Sequence, residues 1–164
     1  MITGKTMHMI KTSIILLLTT LLSACLSFGP LNYQQTKMLK KEGFVLTEEG
    51  WSLGLPESLI FSFDHFIITA QQNQELTRLA QQLKSYKLEK LNIIGHTDDI
   101  GDPTYNLELS KNRASNVADI FLQQGFNPKN IQVIGRGSSQ PLVPNNSNKN
   151  RAENRRVTIN LSSI

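Results

Sequence analysis

Apolar residues change their rhythm along this chain, and the rhythm divides it into elements. Leu76, Leu79, Ala80 and Leu83 recur three and four positions apart, with Gln, Glu, Arg and Lys between them. That spacing predicts an amphipathic helix over residues 69–86. A second helical stretch over 103–124 carries Leu107, Ala114, Val117 and Phe121 on its expected buried side and is stopped by Gly125. Short runs at 44–46, 51–55, 91–94 and 131–134 have the length of strands, and 157–161 alternates cleanly between apolar and polar. Glu48-Glu49-Gly50 is the expected turn between the first two. Residues 59–63 form a further short apolar run, 36–41 a short helix ending at Gly43, and 135–151, with Pro141 and Pro144, a long polar loop. Strands alternating with helices predict an α/β (α+β) two-layer sandwich. Its order is βαβαβ(loop)β, with a mixed sheet, helices on one face and right-handed crossovers.

The first residues follow a different pattern. Lys5, His8 and Lys11 precede an apolar stretch over 14–22, then Ser23, Ala24 and Cys25. This is the pattern of an export signal, too short for a stable membrane span. Cys25 is the only cysteine, and Leu22-Ser23-Ala24-Cys25 resembles a bacterial lipobox. The resemblance implies cleavage before Cys25 and acylation of it, each methylene entering a bilayer contributing about 0.8 kcal/mol. The alternative is a secreted protein with a free thiol. Leu26, rather than an aspartate, follows the cysteine. By resemblance to enteric lipoproteins this favours the outer membrane, with the domain facing the periplasm. The expected organisation is a signal over 1–24, a lipidated cysteine and tether over 25–43, and one domain over 44–164.

Charge narrows the function classes. Of 17 basic residues the signal holds Lys5 and Lys11, which leaves 15 against 13 acids, a net +2. A nearly neutral exported chain is not expected to bind nucleic acid. With one cysteine there is no disulfide, so the core must hold the fold alone.

The tract with most chemistry lies at 95–122. Asp98 follows the apolar run 91–94, in an acidic turn that also holds Thr97, Asp99 and Gly101. Loops at strand ends are where sites are built. Asn106, Ser110 and Arg113 are spaced i, i+4, i+7 and share one face of the next helix. An arginine there presents a planar fork for a carboxylate, and Asp98 accepts from an ammonium. Together they suit a ligand with an amine and a carboxylate on one carbon, with turn amides and the Asn106 amide serving the remaining oxygens. Spacing alone favours a plainer reading, in which Asp98 caps the helix or Arg113 pairs with it structurally.

Three motifs bear on that choice. They are Gly95-His-Thr-Asp98-Asp-x-Gly101 with Tyr105-Asn106-x-x-Leu109-Ser110-x-x-Arg113-Ala114, then Gly135-x-Gly137 before Pro141, then Arg151-Ala-x-Asn154-Arg155-Arg156-Val157. In this order they resemble the OmpA C-terminal-like family over about residues 50–162. Peptidoglycan-associated lipoproteins share the plan of lipidated cysteine, tether and one such domain, and Gly50-Trp51-Ser52-Leu53-Gly54-Leu55 resembles the smaller YfiB branch. The resemblance implies binding to the meso-diaminopimelate of the peptidoglycan stem, Asp98 taking the amine and Arg113 the carboxylate. By position it puts Thr97, Asp99, Gly101, Asn106 and Leu109 along the pocket. Arg156 either adds a carboxylate contact or braces the last strand. Family members often carry Phe-Asp in the first core strand, where this chain has Phe61-Ser62-Phe63-Asp64.

Other chemistries rank below this. His96 and His65 have no paired metal-ligand spacing, so no metal or cofactor is expected. No Gly-x-Ser-x-Gly is present and the cysteine is taken by the anchor, so no enzyme is expected. The rival is a protein-interaction role: the YfiB branch implies a lipoprotein that sequesters a periplasmic repressor of a diguanylate cyclase, using residues 44–55.

Overall fold

The computed structural model describes residues 31–60 and 68–161. The signal, Cys25, the start of the tether and Phe61-Ser62-Phe63-Asp64 lie outside the described residues. What is described begins with helix α1 (Tyr33–Lys41), then strands β1 (Val45–Thr47) and β2 (Gly50–Pro56) and the short helix α2 (Glu57–Ile60). Helix α3 (Ala70–Ser85), strand β3 (Leu91–His96), helix α4 (Pro103–Gln123), strand β4 (Ile131–Gly135), helix α5 (Asn148–Asn154) and strand β5 (Arg156–Leu161) follow.

The five strands form one mixed sheet in the order β1-β2-β5-β3-β4. Only β3 and β4 run parallel, as their connection through α4 requires; the other neighbours are antiparallel. Period-two alternation sorts the residues. Leu91 and Ile93 of β3 stand level with Leu161 and Ile159 of β5, and Leu53 and Leu55 of β2 continue that row. Asn92, Asn160 and Ser52 occupy the opposite face. On the apolar face α4 covers β3 and β4 and packs along α3. The core is closed by Leu79, Ala80 and Leu83 of α3, Ala114, Val117 and Phe121 of α4, and Ile93, Val157 and Ile159 of the sheet. Phe126 meets Phe121 edge to face, with centroids 5.4 Å apart. This is the two-layer sandwich expected from the pattern.

Several local expectations change. Helix α1 starts at Tyr33 rather than 36, because Asn32 and Gln35 form a reciprocal capping box, and its Met38 and Leu39 are buried. Residues 148–154, expected within a polar loop, form α5 behind the Ser147 cap. Leu107 is exposed. Its carbonyl, not its side chain, faces the sheet, where a Cβ on Gly135 would lie 2.7 Å from it. The expected strand 44–46 begins one residue later, with Phe44 buried beneath α1 and its N–H bonded to the Leu39 carbonyl. The apolar run 59–63 falls partly in α2 and partly outside the described residues.

Candidate functional site

The register of three strands brings the site together. Arg156, the first residue of β5, stands opposite Pro56 of β2 on one side and His96 of β3 on the other. The residues just past those positions, Glu57, Arg155 and Thr97-Asp98, therefore gather at one end of the sheet. The Glu57 N–H donates to the Arg155 carbonyl at 3.0 Å, and the Thr97 N–H to the Gly137 carbonyl at 2.9 Å.

Helix α4 delivers the fourth residue. It sits against the backbone of β3 and β4 without intervening side chains: an added Cβ on Gly95 would lie 1.9 Å from the Ser110 carbonyl oxygen. Buried Ser110 accepts from the Gly137 N–H at 2.9 Å and donates to the Leu107 carbonyl at 2.7 Å. This lock between helix and Gly-x-Gly loop sets the height of Arg113, one turn further on. Gly95, Gly135 and Gly137 thus serve close backbone approach.

The acidic turn is held from within. Asp98 is buried, and its Oδ1 accepts from the Ile100 N–H at 3.1 Å. Gly101 takes a φ of +96°, which an L side chain rarely adopts. Asn106, expected to face a ligand, donates its amide to the Ile100 carbonyl at 2.9 Å and so pins the turn. Asp102, not Asp98, caps α4, accepting from the Tyr105 N–H at 2.9 Å. Thr97 is buried with its hydroxyl on the Asp98 carbonyl; Asp99 and Gly101 are exposed and Leu109 half-buried.

Charge runs through the site in alternation. Arg113 pairs with Glu57, Glu57 with Arg155 at 2.5 Å, and Arg155 with Asp98 at 2.7 Å. Asp98 and Arg113 are thus joined through two intermediaries, and the Asp98 charge also acts on the Arg113 guanidinium. Burial pushes the Arg113 guanidinium below its ordinary value, and the Glu57 charge opposes that shift. Desolvation also works against the Arg155 cation, but the hydrogen bonds it donates to Asp98 and Glu57 outweigh that and raise its value. Both arginines remain cations.

Arg156 turns elsewhere. Its guanidinium donates to the carbonyls of Asn154 and Gln140 and braces the loop before β5. Its neighbour Arg155 is the arginine of the motif that reaches Asp98. Arg155 and Glu57 are the site residues that sequence reasoning missed. The signal for Arg155 was the Asn-Arg-Arg motif itself; Glu57 had none beyond an acid after an apolar strand. His96 is buried, and desolvation, helped by Arg156 and Arg136, lowers its pKa to about 4, so it is neutral near pH 7. Among the described residues no group of His, Cys, Asp or Glu is placed to hold a metal. A separate cleft between α1 and α3 is lined by Lys37, Lys41, Glu42 and Arg78, but there Arg78 is already bonded twice to Glu42.

A half-buried cation, Arg113, and a buried anion, Asp98, thus lie at one sheet end behind a glycine-locked helix. The chain belongs to the OmpA family, whose model matches residues 60–155. It is 36% identical over 129 residues to the outer-membrane lipoprotein YfiB of Pseudomonas aeruginosa, covering 79% of this chain and 77% of that protein. Among solved structures it is similar to a MotB-like protein from Desulfovibrio vulgaris, with a TM-score of 0.68, 28% identity, and coverage of 78% of this chain and 88% of that one. It also resembles the peptidoglycan-associated lipoprotein from Burkholderia pseudomallei, with a TM-score of 0.55, 27% identity, and coverage of 65% and 86%.

Proposed function

We propose that this is an outer-membrane lipoprotein, anchored through Cys25 and facing the periplasm, that binds peptidoglycan non-covalently. In this reading Asp98 and Arg113 clamp the free amine and carboxylate of meso-diaminopimelate in the stem peptide, and the protein ties membrane to wall without catalysis. The observation that carries it is the convergence of these two opposite charges, fifteen residues apart in the chain, on one sheet end. Kinship with a lipoprotein whose name states association with peptidoglycan supports the same ligand. The test is co-sedimentation of the purified full-length chain with sacculi. Arg113→Ala leaves the ligand's carboxylate without its counterpart, and removing one member of a desolvated charge pair costs about 2–5 kcal/mol, enough to empty the pellet. A folded Arg113→Ala protein that pellets like wild type would defeat the clamp.

A second reading, docking of a periplasmic protein, is favoured by one observation. Val45 and Leu46 on the edge strand β1 are exposed, at 60% and 69%, and bare apolar edges invite pairing. Leu46→Asp should then lose a partner that wild type captures from periplasm; no capture by wild type leaves this reading without support.

A further inference from the structure

The clamp charges do not stand open. Glu57 lies on Arg113 and Arg155 lies on Asp98, so each of the two already holds a partner of the sign its ligand would bring. The intermediaries are the more exposed members. Their side chains are 22% and 35% accessible, against 11% for Arg113 and 12% for Asp98. They are also fastened to each other independently of the inner pair. The Glu57 N–H bonds the Arg155 carbonyl at 3.0 Å, and Arg155 Nε bonds Glu57 Oε2 at 2.5 Å. Glu57 follows β2 directly and Arg155 precedes β5 directly, so the antiparallel register holds them as a unit.

We propose that Glu57 and Arg155 are a built-in occupant of the site, a carboxylate and a cation placed where the ligand's own carboxylate and ammonium bind, and that they determine which wall peptides are accepted. This rests on the clamp reading of Asp98 and Arg113. The selectivity follows from charge balance. The four side chains sum to zero. A zwitterionic head exchanges one carboxylate for another on Arg113 and one cation for another on Asp98. The displaced pair keeps its mutual bonds, so no charge is stranded in a partly buried place. A peptide whose terminal carboxylate is amidated brings only a cation. It adds a net positive charge and offers nothing to dislodge Glu57. A peptide whose amine is acetylated adds a net negative charge. Both are rejected by the same rule.

The alternative, that Glu57 merely holds Arg113 in position, predicts the opposite response to its removal. The experiment is calorimetric titration of the full-length chain and Glu57→Gln with three peptides. They are L-Ala-γ-D-Glu-meso-diaminopimelate with both groups free, the same with the terminal carboxylate amidated, and the same with the amine acetylated. Glu57→Gln should bind the free peptide about tenfold more tightly, a gain of about 1.4 kcal/mol. It should gain still more for the acetylated peptide, and nothing for the amidated one. Weaker or unchanged binding of the free peptide overturns the proposal. A second measurement does not need wall peptides: acetate is titrated while the Arg113 Nε–H resonance is followed. Acetate should move it in Glu57→Gln at concentrations that leave wild type unmoved; equal shifts overturn the proposal. If no peptide binds wild type while the acetate contrast holds, the clamp's assigned ligand falls and the internal occupant stands.

Discussion

Replacing Gly95 with alanine tests the contact on which the site's geometry depends. A methyl built there would lie 1.9 Å from the Ser110 carbonyl oxygen, 2.6 Å from its carbonyl carbon and 3.1 Å from its Cα. Ordinary contact begins near 3.4 Å, so helix α4 must retreat by about 1.5 Å, the difference between the two distances. No flexible side chain can give way, because every clashing atom is backbone. Overpacking costs about 1–3 kcal/mol where neighbours adjust, and occasionally more. A backbone-on-backbone clash belongs at the top of that range, about 3 kcal/mol or beyond. The retreat would also weaken the Ser110 bond to Gly137 and draw Arg113 away from Glu57. The assay is urea unfolding, read as a shift in midpoint at constant slope, followed by sacculus retention at a urea-free condition where the variant is folded. Gly135→Ala meets the Leu107 carbonyl at 2.7 Å and Lys111 at 2.8 Å, a milder clash, and should cost less. Gly54→Ala has nothing within 4 Å and should be nearly neutral. A Gly95→Ala midpoint equal to wild type, or the reverse order among the three, would refute the argument that α4 rests on bare backbone.

Two further outcomes follow from buried polar groups. Asn154 is wholly buried, accepts from the N–H groups of Leu142 and Val143 at 2.8 and 3.0 Å, and donates to the Val143 carbonyl at 2.8 Å. Asn154→Ala should cost roughly 3 kcal/mol, since each stranded buried group costs about 1–3 kcal/mol and part of the loop can reach water. It should also speed hydrogen exchange at 142 and 143; unchanged protection there would refute it. His96 is neutral when folded, with a pKa of about 4 against 6.5 as its ordinary value. Between those values the unfolded chain binds more protons. Stability therefore falls as pH drops from about 6.5 toward 4 and the loss levels off below, amounting to at most about 3 kcal/mol. The unfolding free energy of wild type minus that of His96→Gln should fall by up to this much over that window; a pH-independent difference would refute it.

What could be read from the chain and what could not divides along physical lines. Helices α3 and α4 were legible because their apolar residues recur at helical spacing, and both lie within a residue or so of the expected bounds. Helix α5 was not, because Asn-Lys-Asn-Arg-Ala-Glu-Asn has no apolar stripe and buries only Asn154. The start of α1 was legible in principle from Asn32 and Gln35, three residues apart, which cap each other. Leu107 misled because helical spacing says which side faces the sheet but not how close the backbones come. Where Gly95 and Gly135 let the helix touch the strands directly, a large side chain on that face must swing out.

The site divides the same way, and for one reason. Asp98 and Arg113 belong to a single strand–turn–helix unit, so local spacing was enough to suggest that they converge. Glu57 and Arg155 are 98 positions apart and meet only because β2 pairs with β5. No local pattern announces that pairing, since either strand offers its apolar alternation to any neighbour of suitable length. Once Pro56, Arg156 and His96 are known to stand side by side, the rest is forced. Three adjacent strands end or begin together at one end of the sheet, and just beyond it stand Glu57, Arg155 and, one residue past Thr97, Asp98. Their alternation lets charges approach within hydrogen-bond distance without mutual repulsion, and Arg113 arriving on α4 completes it as the fourth. The same arrangement that assembles the proposed clamp also fills it, so that affinity in that reading is a difference between two sets of ion pairs rather than the strength of one.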